Sequence, residues 1–422
     1  MRGILWEDTA AEPPLSAPAF AGEAACSVAV IGGGYAGLSA ALHLAGQGTD
    51  CCLLEAGSVG AGASGRNNGQ VIPGLKLAPD ALEERYGDAG AAVVETASGA
   101  ADRVFELIER HAIACEPDRR GWLRAAHSGV ALASVEKLAR AWQARGAPVD
   151  LLDAGATAQA LGSDFYLGGL LDRRAGRLQP LAYCRGLARA ARAAGARLHE
   201  QSPVLSLRRE GGCWLLETAR GRLTAEAVIL AVGAYGERLW PGWSRTYIAV
   251  QSMQLASAPL SDNLRAAVMP GASAMSDTRK LANAIRLDAA GRVCIAGRGP
   301  LSGRLDAGVV RQLQGGLTRL FPALAEAAWS HAWPGRVAIT RDELPRLAAP
   351  APGLYGIVGF NGRGVAMATA LGRAAAAPAL GRPAGFPVVP SAPVPLHRLR
   401  RPLLAAAVSY YRLRDGLGLA SR

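Results

Sequence analysis

Apolar residues in the amino-terminal region follow two patterns. Residues 26–31 and 50–54 are short apolar runs, and between them the glycine-rich residues 32–37 precede apolar positions with helical spacing at residues 38–45. Short apolar runs are typical of strands buried on both faces, and spacing of three and four residues is typical of an amphipathic helix. The pattern therefore predicts a strand, a turn, a helix and a second strand.

The same two patterns recur along the chain. Further helices are predicted at residues 79–114, with breaks near Gly87 and Gly99, and at residues 131–145, 180–194 and 365–376. Further strands are predicted at residues 204–209, 213–218, 223–227, 227–231, 247–256, 293–297 and 354–358. The elements typical of a parallel sheet are widely separated, so we expect another domain to be inserted between them.

The length of the chain agrees with this division, because 422 residues exceed the ~100–200 residues of one ordinary domain. The first domain is expected at residues 26–90, 165–240 and 335–385. The second domain is expected at residues 91–164 and 241–334. Residues 386–422 are expected to form a basic tail with one helix at residues 399–417.

The charged residues narrow the range of partners. The net charge is +12 and rests on arginine, since Lys76, Lys137 and Lys280 are the only lysines. A field of this sign attracts anionic ligands. The arginines are scattered and do not alternate with aromatic residues, so we expect no nucleic-acid partner.

Apolar runs and cysteines bear on the cellular compartment. No apolar run approaches the ~20 residues of a membrane-spanning helix, and residues 1–25 lack the basic start and apolar stretch of a signal peptide. The seven cysteines form no CxxC pair and have no histidine at metal spacing. We therefore expect a cytoplasmic protein with reduced thiols, no transmembrane segment and no metal.

A glycine-rich sequence, VIGGGYAG at residues 30–37, joins the first strand to the first helix. Gly32 permits a tight turn, Gly34 lets the backbone approach a pyrophosphate, and Gly37 lets the helix pack on the strand. Free N–H groups at the helix start bind the phosphates, and Glu55 would accept hydrogen bonds from the adenosine ribose. A structural glycine turn is the alternative, but the strand, helix and acidic residue together favour a dinucleotide. The predicted contacts are Gly32, Gly34, Tyr35, Ala36, Gly37 and Glu55.

A second glycine-rich loop, GASGRNNGQ at residues 62–70, follows the second strand. Such a polar loop is suited to reach along an extended ligand, with hydrogen-bond donors from serine and asparagine and an arginine near phosphate. The loop favours FAD over NAD, and a solvated surface turn is the alternative. The predicted contacts in this loop are Ser64, Arg66, Asn67, Gly69 and Gln70.

These motifs resemble the D-amino-acid oxidase superfamily of FAD-dependent oxidoreductases, and most of all its branch around gamma-glutamylputrescine oxidase. Members of that branch are similar in the loop GASGRNGGQ, from which this chain departs at Asn68. The resemblance covers nearly the whole chain. It includes WEDT at residues 6–9, GRLQP at 176–180, LAVGA at 230–234, DTR at 277–279, WPGRVAITRD at 333–342 and GFNGRGV at 359–365.

The resemblance implies an α/β (α+β) fold, in which a Rossmann-like FAD-binding domain of glutathione-reductase type carries an inserted substrate domain with a mixed or antiparallel sheet. It also implies further cofactor contacts at Val204, Ala231, Gly233, Asn361, Gly362, Arg363, Gly364 and Val365. Relatives that attach flavin covalently use a cysteine before a T-x-D element. This chain has none at residues 335–339, so noncovalent FAD is expected.

The resemblance also implies oxidation of a carbon–nitrogen bond. Hydride would pass from the α-carbon of a small amine or amino acid to flavin N5, the imine would be hydrolysed, and O2 or another electron acceptor would reoxidise the flavin. Backbone N–H groups at residues 362–364 would stabilise negative charge on the C2 carbonyl side of the flavin. A plain glycine cap on a buried helix is the alternative.

An arginine fork is the natural partner of a substrate carboxylate. Arg336 is the preferred candidate, because glycine-oxidase-like relatives resemble this chain there and use an arginine; a surface salt bridge is the alternative. Arg286 and Arg363 are weaker candidates. His331 is a candidate base or amine contact, although a structural histidine is the more common case.

Two other functions are compatible with a flavin site. An NAD(P)H-dependent flavin reductase is disfavoured because no second G-x-G-x-x-G follows the first. A non-catalytic flavin-binding subunit or sensor is the other. The basic helix at residues 399–417 either packs on its own domain or contacts a membrane surface or an electron-accepting partner.

Overall fold

Two large β-sheets organise the chain. The computed structural model describes residues 1–236, 239–281, 283–300, 303 and 305–416. The strands are β1 (Gly22–Ile31), β2 (Cys51–Leu54), β3 (Gln70–Val71), β4 (Trp122–Ala125), β5 (Val149–Leu152), β6 (Gly169–Asp172), β7 (Gly176–Arg177), β8 (Arg197–His199), β9 (Ser206–Glu210), β10 (Cys213–Glu217), β11 (Gly221–Leu230), β12 (Ile248–Ser257), β13 (Ala274–Asp277), β14 (Ala284–Leu287), β15 (Val293–Arg298), β16 (Trp329–Ile339), β17 (Arg346–Ala351), β18 (Leu354–Val358) and β19 (Val388–Val389). The helices are α1 (Leu5–Thr9), α2 (Tyr35–Ala45), α3 (Pro79–Tyr86), α4 (Gly90–Ser98), α5 (Ala100–Arg110), α6 (Gly129–Gln143), α7 (Ala154–Leu161), α8 (Pro180–Ala193), α9 (Asp262–Ala267), α10 (Ala307–Leu320), α11 (Gly364–Ala379) and α12 (Arg400–Gly416).

The first sheet has the strand order β19-β17-β18-β11-β1-β2-β8, with the β9–β10 hairpin paired to β11. Its central strands, from β18 to β8, are parallel. All residues of β2 and the last four residues of β1 are buried. Burial on both faces accounts for the apolar residues at these positions. β1 and β11 pair up to Ile31 and Leu230, so both strands end at the same edge of the sheet.

Helices α2 and α11 cross closely over this sheet. A Cβ atom added at Gly372 would lie 2.2 Å from the carbonyl oxygen of Ala36 and 2.8 Å from the Cβ of Ser39. The Ser39 hydroxyl donates a hydrogen bond to the carbonyl of Thr369 (2.7 Å). Helix α2 follows β1 and helix α11 follows β18, and these strands are parallel, so both helices begin at the same edge of the sheet.

The second sheet has the order β16-β12-β15-β14-β13-β4-β6-β5. Neighbouring strands are antiparallel except β13 and β4, which are parallel. Helix α10 packs on this sheet, where Val310, Leu313 and Leu317 join the apolar cluster that contains Met253 and Ile295. The sheet is therefore mixed and mainly antiparallel, as predicted for the inserted domain.

Sheet membership departs from the expected segments at three places. Strand β6, within the segment 165–240, lies in the second sheet. Helices α4 and α5, within the segment 91–164, share the apolar cluster of α2 and α11. Strand β16 continues the second sheet to Ile339, past residue 335. An apolar helix face such as that of α5 can pack against either sheet. The sequence of the helix therefore does not indicate which sheet it covers.

Most predicted elements are present, with shifts of a few residues at their ends. The strands predicted at residues 223–227 and 227–231 are one strand, β11. Among the strands that were not predicted are the four-residue β4, β5, β6, β13 and β14, the six-residue β17 and the eleven-residue β16. The predicted tail helix corresponds to α12, and its last residue, 417, lies with residues 418–422 outside the described residues. None of the described helices combines the length and apolar character needed to cross a membrane.

Replacing Gly372 with valine is expected to lower the free energy of unfolding by about 1–3 kcal/mol, as overpacking typically does. The new side chain would push α11 away from α2. Chemical denaturation measures the change. Gly315→Val in α10 is the matched control, because a Cβ there meets no atom within 4 Å. Equal losses in the two variants would contradict the close crossing.

Candidate functional site

The turn between β1 and α2 has no room for side chains at two positions. Gly32 has a φ of 110°, and a Cβ atom there would lie 2.7 Å from the carbonyl oxygen of Ala231. A Cβ atom at Gly37 would lie 1.9 Å from the carbonyl oxygen of Gly32. The Ala231 N–H donates a hydrogen bond to the Ile31 carbonyl (2.9 Å). The predicted contacts Gly32, Gly37 and Ala231 therefore meet where β1 and β11 end.

The loop at residues 62–70 folds over the start of α2. The Tyr35 N–H donates to the Ser64 hydroxyl (3.0 Å), and the Tyr35 hydroxyl donates to the Ser64 carbonyl (2.7 Å). The Asn67 amide donates to the same carbonyl (2.8 Å) and accepts from the Gly69 N–H (2.7 Å). A Cβ atom at Gly34 would lie 2.7 Å from the Ser64 hydroxyl oxygen. Gly34 is therefore required by this loop as well as by any bound phosphate.

The Glu55 carboxylate accepts two backbone hydrogen bonds. The N–H of Gly33 lies 2.6 Å from Oε2, and the N–H of Gly57 lies 2.8 Å from Oε1. Each carboxylate oxygen can accept more than one hydrogen bond, so ribose hydroxyls can still bind here. The Ser202 N–H donates to the Glu55 carbonyl (2.7 Å), which brings the segment that leads to the partly buried Val204 beside this acid.

These features fit FAD. The first intrahelical hydrogen bond of α2 runs from Leu38 N–H to the Gly34 carbonyl, so the N–H groups of Ala36 and Gly37 precede the hydrogen-bonded helix. A helix start of this kind attracts the negative charge of a pyrophosphate. Arg66 is tied to the protein through Ala61, whose carbonyl accepts from its Nε (2.8 Å).

A second free helix start lies at the same edge of the first sheet. Helix α11 begins after Arg363, and no side chain caps it. Gly362 has a φ of 90° and open space at its Cβ position. Asn361 is buried with a φ of 52°; its side-chain carbonyl accepts the Thr340 N–H (3.0 Å), so it ties this loop to the end of β16. The start of α11 can therefore face a flavin, while Asn361 holds the loop.

Other predicted residues near this loop have different surroundings. Val365 is 4% exposed and belongs to the core beneath α11. Gly364 has only Phe360 within 4 Å of its Cβ position. Gly233 has a φ of 52° and nothing within 4 Å. The two glycines keep the backbone accessible beside the sheet edge, whereas Val365 contributes packing.

A buried polar network joins the loop at residues 62–70 to the second sheet. The Asn68 amide donates to Gln254 on β12 (3.3 Å) and accepts from Gln70 (3.2 Å). The Gln70 amide also donates to the Met275 carbonyl (3.0 Å) and accepts from the Ser276 hydroxyl (3.0 Å). Asn68, where the chain departs from the motif of the relatives, is therefore an anchor between the loop and the second sheet.

Four cations lie close together near the start of α11; we refer to Lys76, Arg124, Lys280 and Arg363 as the cationic cluster. Glu343 is the carboxylate among them, 3.7 Å from the Lys76 ammonium and 3.2 Å from the Lys280 ammonium. Arg124, on β4, is close enough to lower the pKa of both Lys76 and Arg363. Arg363 donates a hydrogen bond to a backbone carbonyl at residue 73 (2.6 Å).

The pKa values in the cationic cluster reflect an excess of positive charge. Loss of solvation lowers the pKa of Lys76 to about 8 although the side chain is 42% exposed, and neighbouring cations counteract the attraction of Glu343. Burial, followed by repulsion from Arg124, lowers the pKa of Arg363 to about 9. Burial acts to raise the pKa of Glu343, but the two lysines more than offset it, so this pKa is lowered. Glu343 is ionised and leaves the cluster with a net positive charge.

One carboxylate, Asp172, attracts Arg363 but does not neutralise its charge. Asp172 attracts Arg363, but it forms an ion pair with Arg174, in which the nitrogen and oxygen are 2.6 Å apart. Arg174 repels Arg363 in turn. Among the described residues, the cationic cluster therefore keeps more positive than negative charge.

The structure does not bring Arg336 and His331 together. The Arg336 guanidinium lies 5.6 Å from the centre of the Tyr235 ring, beside the turn that follows β11. His331 is buried, with Nε2 3.1 Å from an oxygen of Asp8 and Nδ1 2.8 Å from the Ser330 hydroxyl. This position favours the structural role that the sequence left open for His331.

Arg286 is fully buried behind the loop at residues 62–70. It donates to the Leu178 carbonyl (2.9 Å), and its guanidinium lies 4.5 Å from the centre of the Trp6 ring. Burial lowers its pKa to about 10. Trp6 in turn donates to the Asn67 carbonyl (2.8 Å). Arg286 thus supports the loop from behind.

Sequence reasoning missed Arg124, Lys76, Lys280 and Glu343 as site residues. Two of the three lysines of the chain lie in the cationic cluster. This scarcity was a usable signal, but nothing in the sequence placed the lysines beside each other. Among the described residues, no group of histidine, cysteine and acidic side chains could hold a metal ion.

Comparison with known proteins gives consistent results. A family described as FAD dependent oxidoreductase (DAO) matches residues 27–377. Gamma-glutamylputrescine oxidoreductase of Escherichia coli (strain K12) is 33% identical over 401 residues, which cover 93% of this chain and 94% of that relative. The crystal structure of glycine oxidase from Geobacillus kaustophilus has a TM-score of 0.73 at 23% identity and covers 86% of this chain and 96% of its own. L-Proline dehydrogenase from P. horikoshii has a TM-score of 0.72 at 18% identity, covering 87% and 95%.

The two structural likenesses show the fold, and the sequence matches show the family. The predicted superfamily, its α/β fold and its FAD cofactor are confirmed. The glycine-rich turn, the free start of α2 and the position of Glu55 agree with that cofactor. The chain therefore belongs to the DAO family of FAD-dependent oxidoreductases, is similar to its gamma-glutamylputrescine oxidase branch, and is an enzyme.

Proposed function

We propose that this enzyme oxidises the carbon–nitrogen bond of a small amine that also carries a carboxylate. FAD, when bound, supplies the two-electron oxidant. The proposal is carried by the cationic cluster, which lies at the start of α11, the helix expected to face the flavin. The names of two relatives support it, because gamma-glutamylputrescine and glycine both carry a carboxylate.

A substrate carboxylate would balance the excess positive charge of the cationic cluster. Two like unit charges 4 Å apart repel each other by about 4 kcal/mol at the effective dielectric constant of a protein surface. A bound carboxylate would replace repulsion by attraction and accept charge-assisted hydrogen bonds from Arg124 and Arg363. The uncapped start of α11 adds a partial positive charge. We assign Arg124 and Arg363 to the substrate carboxylate, with Lys76 and Lys280 supplying further positive charge.

Arg336 is the alternative partner for the carboxylate. Its place beside Tyr235 puts it near the turn at Gly233, which is also at the edge of the first sheet. The two assignments make different predictions for single substitutions. We propose no catalytic role for His331, because Asp8 and Ser330 occupy both ring nitrogens.

We propose that FAD is held without a covalent bond, by the backbone at residues 32–37, by Glu55 and by the loop at residues 62–70. Cys184, which contacts the glycine-rich turn, is buried, and its thiol lies 3.5 Å from the Gly33 carbonyl. All seven cysteines are unpaired, which supports a reducing compartment such as the cytoplasm.

The substrate class can be tested by anaerobic reduction of the bound flavin, followed through its absorbance. Amino acids and N-substituted amino acids are expected to bleach the flavin. Putrescine and other amines without a carboxylate are expected to do so at least 10-fold more slowly, because the cationic cluster repels them. Equal rates with both classes would contradict the proposal. Bleaching by NADPH but not by any amine would point to a flavin reductase.

Arg124→Met is expected to raise the Kd for glutarate, a dicarboxylate without an amine, by about 10- to 100-fold, the usual worth of a hydrogen bond to a charged group. Perturbation of the flavin spectrum measures this Kd, and the FAD content should not change. Arg140→Met is the matched control, since that side chain is 73% exposed on α6. If Arg336→Met raises the Kd and Arg124→Met does not, Arg336 is the carboxylate partner.

The Kd for glutarate should also rise with pH above about 8. The pKa of Lys76 in the free enzyme is about 8, so Lys76 loses its proton and its attraction for an anion above that pH. Glutarate stays fully ionised there, and the part of this rise that lies below pH 9 reports on the lysine, because the pKa of Arg363 is about 9. In Lys76→Met this rise should disappear, while Lys137→Met, altered on the exposed side of α6, should keep it. An unchanged profile in Lys76→Met would remove Lys76 from the site.

A further inference from the structure

The carboxyl-terminal helix α12 exposes an apolar stripe to solvent. Leu403, Ala406, Tyr410 and Leu413 are spaced by three or four residues and therefore lie along one side of the helix. The side chains of Leu403, Tyr410 and Leu413 are 49%, 54% and 63% exposed. Val408, on the opposite side, is buried. The stripe thus faces away from the protein.

The stripe is part of a wider concentration of exposed apolar surface. Among the described residues, thirteen large hydrophobic side chains are exposed, and five of them lie between residues 396 and 413. Leu396 and Leu399, just before the helix, are 67% and 50% exposed. Single exposed apolar side chains are ordinary, whereas a contiguous set of them marks a contact surface.

Most charged residues around the stripe are arginines. Residues 386–414 contain no aspartate or glutamate, and Asp415 is the one acidic residue in the sequence of α12. The arginines of this segment are Arg398, Arg400, Arg401, Arg412 and Arg414. Arg398 and Arg401 are exposed. A helix with an apolar side and flanking arginines is typical of segments that lie in the plane of a membrane surface.

The segment before α12 is attached to the residues that lead into β12. The Val394 N–H donates to the Arg245 carbonyl (2.7 Å), and Nε2 of His397 lies 3.0 Å from the Tyr247 carbonyl. These contacts hold the beginning of the helix, while its apolar side stays exposed. The tail therefore has both an anchor on the enzyme and an open surface.

We propose that α12 docks the enzyme on an anionic phospholipid surface, with the stripe inserted among the lipids and the arginines at the headgroup phosphates. The positive charge of the arginines favours anionic lipid over a second copy of this chain as the partner of the stripe. A second copy of this chain would bring the same arginines together, and like charges repel, whereas anionic lipid neutralises them. Docking in the plane of the surface requires no membrane-spanning helix. The inference is independent of the proposed substrate.

Co-sedimentation of the full-length holoenzyme with vesicles tests this surface. We expect binding to vesicles of phosphatidylcholine mixed with phosphatidylglycerol, and at least 10-fold weaker binding to phosphatidylcholine alone. Raising the salt to about 1 M, where the Debye length is about 3 Å, should also weaken binding at least 10-fold. Neither substrate nor turnover is needed, so the result does not depend on the proposed function.

The double variant Leu403→Ser/Leu413→Ser should lose at least 10-fold in vesicle affinity and keep its FAD content. Its matched control is Leu151→Ser/Leu167→Ser, which removes two exposed leucines elsewhere (39% and 47% exposed) and should bind vesicles normally. Absence of binding to the anionic vesicles would overturn the inference, and so would equal binding by both double variants. Light scattering that shows a dimer abolished by Leu403→Ser/Leu413→Ser would assign the stripe to a second copy instead.

Discussion

The structure depends on the close contact between the ends of β1 and β11 and the start of α2. Because the strands are parallel and in register, their carboxyl ends meet, and the turn at Gly32 passes within van der Waals distance of Ala231. The helix then packs so tightly that Gly37 has no room for a Cβ atom. The first N–H groups of α2 therefore lie at the edge where these strands end, where they can bind phosphate. The same edge carries the start of α11, so two helix starts lie at one edge of the sheet, in agreement with the proposed site for an elongated cofactor.

The loop at residues 62–70 transmits this arrangement to the second sheet. The Ser64 hydroxyl accepts the N–H of Tyr35 alone at the start of α2, and six residues later Gln70 is hydrogen-bonded to backbone carbonyls of β13 and β14. Polar contacts between the layers are directional, so they position the layers more exactly than apolar packing would. Asn68 adds a contact to β12 that the glycine found in related loops would lack. The cofactor loop and the face of the second sheet are thereby held as one unit.

The cationic cluster illustrates the conflict between stability and function. Gathering the partly buried Arg124 and Arg363 beside the more exposed Lys76 brings like charges together and is unfavourable, as their lowered pKa values show. Natural proteins keep such local conflicts mainly at functional sites, where a ligand resolves them. The tail has a different unfavourable feature, which is the exposure of apolar side chains to water. This feature indicates a different ligand from that of the cationic cluster. Both features are unfavourable in the isolated chain and become favourable on binding.

The amino-acid sequence alone determined the local features. Gly32, Gly34, Gly37 and Glu55 were identified because adjacent residues build the turn and the strand end, and strands such as β18 and helices such as α8 were predicted within a few residues from their period. Tertiary structure decided the rest. Sheet membership of β6, the anchoring of His331 by Asp8, and the meeting of Lys76 with Glu343 depend on distances between residues far apart in the chain. Periodicity reports which side chains are buried, but only the packed fold determines which of them become neighbours.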